Sequence, residues 1–74
     1  MDYNDYKKKY DELCGRDESK SESIEYWESL VNDIRDFFSN PNTPNDLVEL
    51  AKFSLWESAG MTLESLYQKA KSVE

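Results

Sequence analysis

The chain has no histidine, one cysteine, two glycines and two prolines in its 74 residues. Without histidine it lacks the commonest general base and the commonest zinc ligand. Cys14 alone can form neither an internal disulfide nor a thiolate metal cage, which points to a reducing compartment. It falls on the apolar side of the first expected helix, where a thiol reads as a small buried hydrophobe. No glycine-rich phosphate loop can be assembled, since Gly15 and Gly60 stand far apart and each reads as a helix stop. Serines are plentiful, but none has a base placed to activate it. Apolar runs are short as well, none approaching the roughly 18 residues that cross a bilayer. The segment MDYNDYKKKY has no apolar stretch behind its charges, so it is not expected to be a signal peptide. These absences predict a non-enzymatic protein without cofactor, in the cytoplasm of a bacterium or of an infected host cell.

Bases are the other scarce commodity. Nine face sixteen acids, for a net charge of −7, and the deficit is local: residues 21–46 hold six acids and one base. Such a surface repels phosphate backbones and anionic lipids, and it attracts basic proteins with a steered on-rate.

What the chain does have is helical periodicity. In SESIEYWESLVNDIRDFF, residues 21–38, Ile24, Trp27, Leu30, Val31, Ile34, Phe37 and Phe38 fill one side of a wheel. The other side carries Glu22, Glu25, Glu28, Asp33 and Asp36, with Arg35 as its only base. Ser19, Ser21 and Ser23 all offer N-cap oxygens, with Ser21 or Ser19 preferred because Glu22 and Glu25 then occupy the first turn. The stretch SNPNTPN ends this helix near Ser39.

Three further helices are expected around it. Tyr3, Tyr6, Tyr10, Leu13 and Cys14 share a narrow face over residues 2–14, ending at Gly15. Thr43-Pro44-Asn45-Asp46 reads as cap, first turn and capping-box partner of a helix over 44–59. Its main face is Leu47, Val48, Ala51, Leu55 and Ala59, with small Ser54 and Ser58 on the flank. Leu50, Phe53 and Trp56 fall outside that face, either because this helix is contacted from several sides or because the rings form an interface patch. Gly60 then stops the chain, Met61 makes the contact that follows a glycine stop, and Thr62 caps a last helix over 62–73. Leu63, Leu66, Tyr67, Ala70 and Val73 form its stripe. The fold expected is all-α: one small domain of four helices (about 2–14, 21–39, 44–59 and 62–73), the second central and the first at the edge.

Glu57 to Tyr67, ESAGMTLESLY, resembles the turn and second helix of a bacterial helix-turn-helix. A small residue and glycine close the first helix, and Met61 with Thr62 open the next. The resemblance covers about twenty residues and implies a DNA-binding corner. It departs from the pattern at Trp56, where an alanine usually stands four residues before the glycine. The early exposed positions of the recognition helix would be Glu64 and Ser65, with Gln68, Lys69 and Lys71 only later, a poor set for phosphates and bases.

With no chemistry in view, contact is the work left to this chain. The reading is a small acidic inhibitor, of the class that includes phage anti-defence proteins, antitoxins and nuclease-immunity proteins. It docks its carboxylate-rich helix face on a basic, nucleic-acid-handling partner. Glu22, Glu25, Glu28, Asp33 and Asp36 steer the encounter, and Tyr26, Phe53 and Trp56 anchor it. The alternatives are a regulator using the helix-turn-helix-like corner and a subunit that dimerises through its aromatic faces.

Overall fold

A computed structural model describes residues 2–72 and shows three helices, with no strand among those residues. Helix α1 is Tyr3–Asp17 and α2 is Ile24–Ser39. Helix α3 covers residues 45–72, a kinked rod of 28 residues. The pairings Tyr10–Phe37 and Arg16–Asp33, and Phe38–Trp56 and Glu22–Lys69, set the three helices up, down and up in a molecule of 48 × 17 × 15 Å. The second helix is central, as its dense apolar side requires, and touches both others along its length. Trp27, Leu30 and Ile34 of α2 are fully buried, and Phe37 nearly so, against Leu47, Ala51, Leu55 and Ala59 of α3 and Tyr6 and Leu13 of α1.

The largest correction to the sequence reading lies at the glycines. Gly60 sits inside the α-helical run Trp56–Ser72 and Gly15 inside α1, and neither has a positive φ. A glycine within a helix costs only about 1 kcal/mol relative to alanine. Around Gly60, the buried Ala59 and the half-buried Trp56, Leu63 and Leu66 all pack on the core, which outweighs that cost. Two expected helices are therefore one, and the last expected start becomes an interior turn. Thr62 caps nothing; its hydroxyl donates to the Ser58 carbonyl one turn back. Met61 makes no post-glycine contact and is 70 % exposed. Val73, expected on the final stripe, lies outside the described residues.

The kink has an identifiable cause. Leu47, Ala51, Leu55 and Ala59 are buried at steps of four residues. A regular α-helix turns about 100° per residue, so each such step overshoots a full turn by about 40°. Three steps would swing Ala59 away from α2. Ala51–Leu55 is instead a π segment, whose wider turn absorbs about one extra residue and keeps the stripe facing its partner.

Helix starts also differ from expectation. In α1, Asp2 caps and forms a reciprocal capping box with Asp5. Ser23 caps α2, accepting from the Tyr26 N–H, while Ser21 and Ser19 are used upstream. The Ser21 hydroxyl oxygen accepts from the Ser23 N–H and that of Ser19 from the Ser21 N–H. This serine ladder straps the α1–α2 connection over Trp27, whose indole N–H donates to the Ser21 carbonyl at 2.8 Å. At α3, Pro44 rather than Thr43 is the cap residue, its carbonyl accepting from the Val48 N–H. Thr43 is buried, and its hydroxyl donates to the Phe37 carbonyl at 2.8 Å, tying off the open end of α2.

Candidate interaction surfaces

On the stripe of α1, Tyr6 and Leu13 are buried and Tyr10 and Cys14 half-buried. Tyr10 packs at 6.3 Å from Phe37, and its phenol is pushed up to about 12 by burial first and by the neighbouring Cys14 thiol second. Tyr3 stays exposed and its hydroxyl donates to Asp46 at the start of α3, which raises the Tyr3 pKa. At the other end of α1, the Ser58 hydroxyl of α3 donates to Asp17 at 2.8 Å. These polar ties, with the buried Tyr6 and Leu13 between them, fix α1 across the α2–α3 pair.

The five carboxylates expected on α2 are all exposed, but Glu22 precedes the Ser23 cap and lies off the helix, and the other four are not equivalent. Asp33 receives the Arg16 guanidinium at 2.7 Å across the α1–α2 seam. Glu22 receives the Lys69 ammonium at 2.9 Å from α3, and that hydrogen bond and charge hold its carboxyl below the usual range. Glu28 accepts from the Tyr67 hydroxyl, which raises the tyrosine's pKa. Glu25 and Asp36 have no ion-pair partner among the described residues. Of the five, Glu25, Glu28 and Asp36 thus form no ion pair among the described residues. Glu25 and Asp36 are eleven residues apart, or about 16 Å along the helix.

A groove of about 350 Å³ between α1 and α2 borders this face, lined by Lys9, Glu12, Arg16, Asp33, Asp36 and Phe37 among others. Its charges are of both signs, so it tempers the negative field on that side. No group of three or more cysteine, aspartate or glutamate side chains converges as a metal site among the described residues.

The aromatic anchors divide. Tyr26 is half-buried, its hydroxyl donating to the Arg16 carbonyl at 2.9 Å and its ring edge-on to Trp27 at 5.5 Å. It clamps α1 to α2 and is spent inside the molecule. Trp56 is half-buried at 5.4 Å from Phe38, edge to face, closing the α2–α3 seam. Phe53 alone of the three is mostly exposed, at 64 %. Leu50 is 45 % exposed beside it. No protein-family model, curated protein or solved structure matches this chain. What it does has to be read from these surfaces.

The helix-turn-helix-like corner does not form. Glu57 to Tyr67 is unbroken helix, so there is no turn to set a recognition helix at an angle. The exposure of Met61 is not anticipated when Gly60 reads as a stop. Running the wheel straight through Gly60 puts Met61 on the same side as Glu57 and Phe53, which is the signal that finds it.

Proposed function

We propose that the protein is a non-catalytic inhibitor that binds a basic, nucleic-acid-handling protein through the outward face of α2. The observation that carries this reading is the set of three exposed carboxylates, Glu25, Glu28 and Asp36, none of which forms an ion pair among the described residues. They stand on a helix held rigidly at the centre of the fold, so the field they project is fixed in shape. Carboxylates so displayed occupy the place of phosphates on a partner's cationic surface and raise its encounter rate. Glu22 and Asp33 help only after giving up Lys69 and Arg16, a cost that makes them secondary.

The regulator alternative is weakened by the straight run through Gly60, which gives a DNA groove no recognition helix. Recovery of the partner from the native host, followed by kinetics against Glu25→Gln, Glu28→Gln and Asp36→Asn combined, tests the proposal. Slower association with an unchanged melting temperature supports it. A mobility shift of naked DNA by the wild-type protein would favour the regulator instead.

A further inference from the structure

The side of α3 turned away from α1 and α2 carries a stripe that the acidic face of α2 does not explain. Leu47, Ala51, Leu55 and Ala59 point inward, Trp56 and Tyr67 lean on α2, and Ser58 reaches α1. Outward on this helix are Glu49, Lys52, Phe53, Ser54, Glu57, Met61, Glu64 and Ser65, with Leu50 alongside, all exposed. Phe53 and Met61 are the most exposed large apolar side chains among the described residues, at 64 % and 70 %. They stand two turns apart, about 12 Å along the rod. Single exposed apolar residues need no explanation, but three in register on one rigid helix form a stripe of the kind used in helix-to-helix recognition.

We infer that this stripe is a docking surface for an amphipathic helix of a partner protein, apolar on its contact face and lysine- or arginine-rich on its flanks. Charge decides the occupant. Phe53 lies between Glu49 and Glu57, and Met61 between Glu57 and Glu64, each a turn away. The base in reach is Lys52, whose ammonium lies 5.6 Å from the Phe53 ring centroid on a flexible stem. A second copy of this chain would set Glu57 against Glu57 in an antiparallel pair, and like carboxylates in a desolvated seam repel. A helix with basic flanks turns the same residues into favourable pairs. Helix-on-helix packing fits the spacing, because the partner's side chains recur with the same period. The inference goes beyond the α2 reading and stands if that reading fails, since it rests on other residues.

The probe is a synthetic amphipathic helix with leucines on one face and lysines on both flanks, titrated into isotope-labelled protein and followed by amide chemical shifts. Saturable binding with shifts concentrated in residues 49–64 is expected. Phe53→Ser with Met61→Ser should weaken binding about tenfold or more at an unchanged melting temperature, since both side chains already face water. Glu25→Gln, Glu28→Gln and Asp36→Asn combined should leave this binding in place. Shifts confined to the α2 face, equal binding by the double serine variant, or equal binding of a peptide with glutamates for lysines would overturn the inference. So would a dimer in light scattering that Phe53→Ser dissolves, because the stripe would then serve a second copy.

Discussion

Gly60→Ala separates a continuous α3 from a turn by the sign of a single measurement. In the structure Gly60 lies inside a helix without a positive φ, and a Cβ added there meets nothing within 4 Å. Alanine therefore restores helix propensity without a clash, and it narrows the unfolded ensemble. The gain should be about 0.5–1 kcal/mol. For a domain of this size that raises the melting temperature by about 4–8 °C per kcal/mol. In urea, with m of about 1–2 kcal/mol/M, the midpoint moves up by roughly 0.5 M. Circular dichroism against temperature and urea reads both. If Gly60 instead stopped one helix in the left-handed conformation before another began, alanine would destabilise by about 1 kcal/mol or more. A lowered midpoint would refute the single α3, and with it the shared face of Phe53 and Met61.

Other outcomes follow from the same packing. Trp27→Ala should cost about 3–5 kcal/mol, most of the stability of so small a domain, whereas half-buried Trp56→Ala should cost roughly 2 kcal/mol; urea melts compare them. Deleting Ser54 should be tolerated to within about 1 kcal/mol, because removing one residue turns the π segment into regular helix with its buried stripe intact; unfolding by circular dichroism would argue against that origin of the kink. In an ultraviolet titration Tyr10 should ionise near 12, and Tyr10→Phe should remove that step. The raised folded value means that Tyr10 supports the fold below its ordinary 10.0 and ceases to as pH climbs toward 12. Glu22 works in the opposite direction: its lowered value makes its contribution present above about 4.5 and lost as pH falls below that.

Much of the fold was legible because two signals agreed. The apolar side of residues 24–38 has helical period, and SNPNTPN is rich in breakers, so α2 and its end could be placed to within a few residues. The all-α class and the central role of α2 followed. Gly15 and Gly60 misled because glycine marks a stop only when nothing beyond it is worth packing; here Arg16 and Asp17 on one side, and Leu63 and Leu66 on the other, have partners. The N-cap of α2 is Ser23, and the Ser21 carbonyl instead accepts the Trp27 indole N–H, a side-chain contact that backbone capping rules do not contain. The candidate site was legible in composition but not in pairing. Which acids meet Arg16, Lys69 or Tyr67 depends on how three helices are set, and no helical wheel of α2 alone reports it. Tyr26 read as an anchor because its hydroxyl partner, the Arg16 carbonyl, is a backbone atom with no signature in the sequence.

On the proposed function, the carboxylates of α2 that lack an ion pair steer binding to a basic partner. The most direct measurement is the association rate with that partner as a function of salt, for wild type and for the variant carrying Glu25→Gln, Glu28→Gln and Asp36→Asn. The variant should associate more slowly and with a shallower salt dependence, at an equal melting temperature. Identical rates and identical salt slopes would contradict that role.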